Sequence, residues 1–442
     1  MSKIQVKNFH APETENDSDS DIDFEDLADS SVSVGYIDTN FEELDEKELE
    51  LYRIQMRSPF FPSKVGGKPA WLDYSSVPMA VGAGQINDAN NNKSLELQCQ
   101  SCKSQLVFLL QIYAPIGGDD DKFAHEAENL DDAFHRVIFV FLCSSKGCKS
   151  RSFKVLRSQL KRENDFFSYE APPENYDLDE FDQEFDDSKK HLANFYKNLH
   201  LKNFLNQCAV CGLSCSKKCS RCNFAFFCSQ NHQVIDWTKL NHKTLCAKYS
   251  DKSVDELISE WVNDENSVLK YNEEKSSAVF PEREIIIEPE VLDLNKLRKE
   301  QERYKYDKTK IAEDLDANEG NDQDFDAIKE NDYDKDFDKF KKISAHEPSQ
   351  IIRYERGGKP LWVSKYQKLK ESDIPKCEYC GSRRIFEFQI TPQLLCYLNL
   401  EETGQLDTVD WAGLYVYTCA KSCQAAKNSY ASEYIYKQDF VS

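Results

Sequence analysis

Between Cys208 and Cys246 the chain reads Cys208-x2-Cys211-x7-Cys219-x2-Cys222-x5-Cys228-x3-His232-x9-His242-x3-Cys246, eight soft or borderline ligands in one short run. No other feature constrains the fold so tightly. If the metal is zinc, eight such ligands make two tetrahedral sets. A Cys-x2-Cys knuckle lets two sulfurs converge on one ion, and the x3 spacing of Cys228/His232 and His242/Cys246 puts each pair on one face of a helical turn. A run this short has no core that folds unaided, so metal binding is expected to supply its stability. The alternatives are buried free thiols or a redox Cys-x2-Cys, and the second lacks the surrounding βαβ pattern.

The chain carries 16 cysteines, and their meaning depends on compartment. The N-terminal residues MSKIQVKNFHAPETEND have no apolar core of a signal peptide. No apolar run approaches the roughly 18 residues of a membrane span. A soluble chain made in the cytosol and not exported is therefore expected, with thiols rather than disulfides. The 56 Lys+Arg against 78 Asp+Glu leave a net charge of −22, in a composition 40% hydrophobic and 30% charged. That balance describes packed modules joined by solvated acidic connectors. It disfavours non-specific nucleic-acid binding and suits a basic protein partner.

The remaining cysteines fall as Cys99/Cys102 with Cys143/Cys148, and as Cys377/Cys380 with Cys419/Cys423. They sit in two regions that repeat each other. Gly66-Gly67-Lys68-Pro69-Ala70-Trp71 is matched by Gly357-Gly358-Lys359-Pro360-Leu361-Trp362. Each is followed by a Cys-x2-Cys, and Gln111 and Gln389 both lie nine positions beyond its second cysteine. Each unit then offers an aromatic β run into a second cysteine pair, as in a zinc ribbon. One zinc in each flanking unit and two in the central module make four, with unligated buried thiols as the alternative for the flanking sets. Four protein ligands per ion leave no open position for hydrolytic chemistry. Cys215 and Cys396 stand outside the pairs, Cys215 as a bystander and Cys396, on the apolar run LLCYL, as a core residue.

The fold class is α+β and β-rich: two related zinc-binding β units, an inserted zinc finger and long charged linkers. Residues 1–30 form an acidic disordered tail, in which Ser18 and Ser20 suit an acidophilic kinase or simply a solvated tail. The first β unit spans 31–170, with strands at 105–113 and 137–142. A connector at 171–205 ends in a helix, and the finger occupies 206–247. Residues 248–345 hold a helix at 250–272, an isolated strand at 284–288 and a charged insertion at 292–345, helical early and otherwise unfolded. The second β unit is 346–442. The two units are expected to pack as one body with the finger peripheral to it.

Phe227-Cys228-Ser229, Trp237 and His242-Lys243-x-x-Cys246 make the central run resemble the MYND zinc finger. That family's cross-braced pairing implies Cys208, Cys211, Cys228 and His232 on one ion, and Cys219, Cys222, His242 and Cys246 on the other. His232 stands where most such fingers carry cysteine, which removes one negative charge. Over 33–170, 206–290 and 348–442 the chain resembles the programmed cell death protein 2 family. The residues that carry this are Val34-Gly35-Tyr36, Gly66–Leu72, Phe108–Pro115, Ala133-Phe134-His135-Arg136 and Asn164–Glu170. Arg353-Tyr354-x-Arg356-Gly357-Gly358, Phe386–Ile390 and Lys437-Gln438-Asp439 complete the set. The insertion at 292–345 departs from the compact members. The finger favours the branch that carries one.

The resemblance implies a dedicated chaperone that captures newly made ribosomal protein S2 and delivers it to the maturing small subunit, mainly in the cytoplasm and also in the nucleus. The other reading is a MYND-finger adaptor in transcriptional corepression. MYND fingers also occur in lysine methyltransferases, but the cofactor-binding core of a SET domain is not recognisable here. Nor is there a GxxxxGK[ST] loop, a GxGxxG in a βαβ context or a GxSxG elbow, so no enzyme is expected. His135 reads as a structural neighbour of a tryptophan or the backbone, with a functional contact as the alternative. A client surface is sought in the aromatic runs around Phe139, Phe141, Tyr415 and Tyr417, whose other reading is core packing.

Overall fold

The computed structural model describes residues 31–39, 43–82, 95–117, 121–148, 151–173, 181–201, 206–240, 242–263, 278–299, 302, 334–400, 409–424 and 430–440. The acidic tail with Ser18 and Ser20, and most of the charged insertion, lie outside them. The strands are β1 (Ser33–Ile37), β2 (Lys64–Val65), β3 (Val107–Tyr113), β4 (His135–Leu142), β5 (Phe153–Leu160), β6 (Lys217–Lys218) and β7 (Phe226–Phe227), then β8 (Arg283–Pro289), β9 (Ile352–Tyr354), β10 (Arg384–Ile390), β11 (Gly413–Cys419) and β12 (Tyr430–Gln438). Helices are α1 (Glu46–Gln55), α2 (Phe181–Leu201), α3 (Gln230–Lys239), α4 (His242–Asp251), α5 (Val254–Asn263) and α6 (Lys335–Ser344). No helix among the described residues is long and apolar enough to cross a membrane.

Ten strands close a barrel in the order β1-β8-β2-β3-β4-β5-β12-β11-β10-β9, with β9 pairing back onto β1. The order shows the repeat. β2-β3-β4-β5 and β9-β10-β11-β12 run outward from β1 and β8 and meet where β5 pairs antiparallel with β12. Both copies bulge at the same place, between Phe108 and Leu110 on β3 and between Phe386 and Phe388 on β10. The glycine turns match too. Gly66 has φ +65° and Gly357 φ +78°, and a Cβ at either would lie 2.0 Å from Pro281 O or from the Phe123 ring, so only glycine fits.

β4 is buried along its whole length because both of its faces are covered. Ile138, Val140 and Leu142 join Leu110, Ile112, Phe388, Leu414 and Val416 in an apolar core fed by strands all around the barrel, its interior. The alternate residues Val137, Phe139 and Phe141 face outward into a second core with Trp71, Phe108 and Leu156. Onto this outer face pack Phe185, Leu192, Phe195 and Leu199 of α2. Their spacing puts them on one helical stripe. Phe139, Phe141, Tyr415 and Tyr417 are all buried, so they are core residues and offer no client surface.

The strand at 284–288 is not isolated. β8 sits between β1 and β2, pairing Ile285 with Ile37 and Glu284 with Lys64, because Ile285 and Ile287 face the barrel interior. The finger is not peripheral either. Cys208, Val210, Cys211, Leu213, Cys215, Cys228, Ile235 and Leu240 share the outer core with Trp71. Ser214 completes the join through its backbone, donating to Pro78 O at 3.0 Å and accepting from the Ala80 amide at 3.1 Å. The helix expected over 250–272, of which 264–272 lie outside the described residues, breaks after α4, since Ser253 and Glu256 cap each other at the start of α5.

A second, smaller compact unit holds the described part of 292–346 with Leu361–Lys365. Here residues 334–344, expected to be unfolded, enter a helix instead. The Asp334 carboxylate caps α6 by accepting from the Phe337 amide at 3.0 Å, and it also accepts from Ser364 Oγ at 2.6 Å. Trp362 belongs to this unit and Trp71 to the larger one, so the two turns share a left-handed first glycine but not the fate of their tryptophans, and of the second glycines only Gly67 is left-handed.

Candidate metal centres

Local hairpin geometry builds the flanking sites. Cys99 and Cys102 precede β3 and Cys143 and Cys148 follow β4, so both pairs lie at the same end of one hairpin. Cys377/Cys380 and Cys419/Cys423 stand in the same way to β10 and β11. In the finger, Ser229 caps α3 by accepting from the His232 amide at 3.2 Å, which sets His232 one turn from Cys228. His242 and Cys246 share a face of α4.

Among the described residues the structure brings together four sets: Cys99, Cys102, Cys143 and Cys148; Cys208, Cys211, Cys228 and His232; Cys219, Cys222, His242 and Cys246; and Cys377, Cys380, Cys419 and Cys423. In each, the ligand atoms all lie within 4.8 Å of one another. Sulfurs about 2.3 Å from a tetrahedral ion are about 3.8 Å apart. The Sγ–Sγ distances are 3.7 Å for Cys99/Cys148, 3.5 Å for Cys102/Cys143, 3.7 Å for Cys211/Cys228, 3.8 Å for Cys219/Cys246 and 3.6 Å for Cys377/Cys423. Geometry and donor chemistry both fit zinc. Each set is a full complement of four protein ligands, the chemistry of a structural site.

Each set holds at least one cysteine favoured as the thiolate, while burial and neighbouring thiols push others up, Cys246 to about 11. Burial opposes ionisation of Cys99, yet hydrogen bonds from Ser152 and from the amides of Cys102, Ser101 and Ser152 bring it down to about 5. Burial likewise opposes Cys219, and the Cys222 and Arg221 amides lower it to about 6. Cys419 falls to about 4, chiefly through Cys423, against burial, with Arg157 contributing. The two histidines present different nitrogens. His232 turns Nδ1 to Cys208 at 3.4 Å and Cys228 at 3.1 Å. His242 turns Nε2 to Cys222 at 3.7 Å, while its Nδ1 meets the buried Asp236 carboxylate at 2.7 Å, and that contact raises its pKa.

Several supporting residues were not singled out in the sequence. Asp236 orients His242, Ser152 Oγ lies 3.3 Å from Cys99 Sγ, and Gln105 Nε2 lies 3.6 Å from Cys211 Sγ. Arg157 donates to the Cys423 carbonyl at 2.8 Å, tying the first unit to the last metal set. Only Asp236 carried a signal, a carboxylate beside Trp237 one turn and a half before a ligand. Cys215 is buried beside the first finger set without joining it. Cys396 corrects the expectation of a core thiol. It is exposed, because the run LLCYL forms a 3₁₀ turn that buries Leu394 and turns Cys396 outward.

The comparisons with known proteins follow the same division. Residues 44–174 match the programmed cell death protein 2 N-terminal domain, 208–246 the MYND finger and 334–441 the programmed cell death protein 2 C-terminal domain. Programmed cell death protein 2 of Bos taurus is 37% identical over 393 residues, covering 88% of this chain and 93% of that protein. The Mus musculus protein of the same name is 37% identical over 391 residues, 87% of this chain and 93% of its own. "Probable 20S rRNA accumulation protein 4" of Schizosaccharomyces pombe is 34% identical over 117 residues, 23% of this chain and 28% of that protein. No solved structure gives a significant match. Matched in both terminal domains and in the finger between them, the chain belongs to the programmed cell death protein 2 family.

Proposed function

We propose that the protein is a non-enzymatic chaperone for a newly made, basic protein of the small ribosomal subunit, ribosomal protein S2, and that it supports small-subunit assembly in the cytoplasm and also in the nucleus. The observation that carries the proposal is kinship over 88% of the chain with programmed cell death protein 2, and over 23% of it with a relative whose name refers to 20S rRNA accumulation. Two physical features support it. Four complete ligand sets suit metal that holds structure, and the net charge of −22 attracts a Lys/Arg-rich chain over long range. Masking such a client keeps its basic and apolar surface from stray RNA and from aggregation.

The test is capture of the tagged chain from translating cells at rising salt, with and without ribonuclease. Selective recovery of ribosomal protein S2 that survives ribonuclease supports the reading. Indiscriminate recovery of basic proteins, all lost near about 0.3 M salt, removes it. Co-purification with chromatin and no ribosomal protein transfers the function to corepression.

A further inference from the structure

The turn before β4 and the loop after β5 meet on one surface. Leu130 is 42% exposed there, Phe134 40% and Tyr169 59%. The guanidinium carbon of Arg162 lies 5.1 Å from the Phe134 ring centroid and 3.8 Å from that of Tyr169. An arginine of the chain itself thus contacts both rings.

The support beneath is fixed. His135 stacks on Phe61 with ring centroids 4.2 Å apart. Its Nδ1 meets the Tyr113 hydroxyl and its Nε2 the Arg162 carbonyl, each at 3.2 Å. The Asn164 side chain accepts from the Phe166 and Phe167 amides, and Arg162 Nε donates to the Tyr169 carbonyl at 3.1 Å. A backbone held this way leaves less of the loop to be ordered when a partner arrives.

We infer that Phe134 and Tyr169 form a docking surface for an arginine- and lysine-rich protein segment, an inference that rests on the basic-client reading above. Arg162 shows that both rings accept a guanidinium. The faces it leaves open offer stacking to further arginines, and Leu130 offers apolar surface to lysine stems. Charge selects the partner. Glu128, Asp131, Glu163, Asp165 and Glu170 are exposed along the same turn and loop, while the neighbouring Lys161 is paired with Asp132 at 3.3 Å. An RNA strand also stacks on aromatic rings, but it would bring its phosphates against those carboxylates. His135, with both nitrogens engaged, positions this surface.

Fluorescence anisotropy on the purified full chain tests this with two probes, ribosomal protein S2 and a fluorescein-labelled peptide of alternating arginine and glycine. The variants are Tyr169→Ala and the double Glu163→Gln/Glu170→Gln, with Phe440→Ala as an exposed control elsewhere. Zinc content and circular dichroism check folding. Each surface variant is expected to weaken binding of both probes by about ten-fold, with Phe440→Ala unchanged. Full-strength binding by both surface variants overturns the surface and leaves the client reading standing. Failure of the wild-type chain to bind ribosomal protein S2 removes the client reading and this inference with it. Tighter binding of oligouridylate than of the peptide, lost in Tyr169→Ala, overturns the inference in favour of RNA.

Discussion

The indole nitrogen of Trp71 donates to the carbonyl oxygen of Gly212 at 2.8 Å, joining the first β unit to the turn that follows the Cys208/Cys211 knuckle. The same ring packs edge-on against Tyr430 of β12, whose hydroxyl donates to the Asp73 carbonyl at 2.8 Å. Trp71 therefore holds both β units and the finger at one point. Deleting residues 206–247 strips several fully buried side chains from the outer core, each worth about 1.5–3 kcal/mol. Such a loss rivals the roughly 5–15 kcal/mol that stabilises a domain. The deleted chain is expected to lose its cooperative thermal transition and aggregate. A soluble product with a sharp transition would show that the barrel does not need the finger.

With four ligand sets, four zinc ions per chain are expected, which metal analysis of the purified protein counts directly. Cys377→Ser removes a ligand from the last set, and Cys396→Ser removes an exposed thiol outside every set. The first variant is expected to lose one zinc and to unfold around β10 and β11. The second should keep all four. In the native protein a small alkylating reagent should modify Cys396 well before the ligating cysteines, and a chelator should open the others to it. Equal zinc loss from both variants, or two ions or fewer in the wild type, sinks this assignment.

Ligand chemistry was legible because it is local. A Cys-x2-Cys or a Cys-x3-His places its atoms within one turn, so pairing the ligands needed no tertiary information, while joining the finger's pairs into cross-braced sets came from the MYND resemblance. The repeat was legible for a similar reason, through matched turns and Gln111/Gln389. Pairing between distant segments was not. β8 reads as a lone strand until β1 and β2, more than 200 residues earlier, flank it. Val210, Leu213 and Cys215 follow no period, so nothing in the finger announced that one side of it is buried. Cys396 was misplaced because an apolar run does not say which of its side chains a 3₁₀ turn buries. The charged residues inside β4 and β10 did leave a trace, one arginine in HRVIFVFL and one glutamate in the middle of RIFEFQI. Buried charges need partners, but the sequence does not name them.

Asp236 provides a test of the second finger set that leaves all its ligands in place. Its carboxylate fixes the His242 ring through Nδ1 and leaves Nε2 toward Cys222. Losing such an orienting contact typically costs about 10–100-fold in metal affinity. Asp236→Ala is therefore expected to release zinc to a chromophoric chelator from one site earlier than wild type, with the other three unchanged. Asp236→Asn, which can still accept from Nδ1–H through its amide oxygen, should fall between them. Unchanged release from both variants would reduce the contact to packing.

Arg136 and Glu387 lie 251 residues apart, yet both are fully buried and joined by two hydrogen bonds of 2.7 and 2.9 Å. Arg136 also donates to the Ala114 carbonyl at 3.0 Å, and Glu387 accepts from the Tyr354 hydroxyl at 2.8 Å and from Thr418. Glu387 sits at the bulge of β10, so this pair ties the first unit to the second inside the molecule. Removing one partner leaves a buried charge and costs about 3–5 kcal/mol, whereas replacing both by apolar residues costs much less. Glu387→Ala is expected to unfold at far lower urea concentration than Arg136→Met/Glu387→Leu. The pair also sets a pH dependence. Burial opposes the Glu387 charge, but Arg136 beside it holds the carboxyl well below the usual glutamate range. A depressed folded pKa contributes stability that is complete above the ordinary glutamate value and is lost as pH falls through the folded one. The advantage of wild type over Glu387→Gln, neutral at every pH, should therefore be full at pH 7 and shrink in acid, starting below about 4.5. Zinc loss in acid affects both proteins alike, so the difference between their melting temperatures isolates the pair. A difference that does not change between pH 7 and pH 3 would show that the charge on Glu387 contributes nothing to holding the two units together.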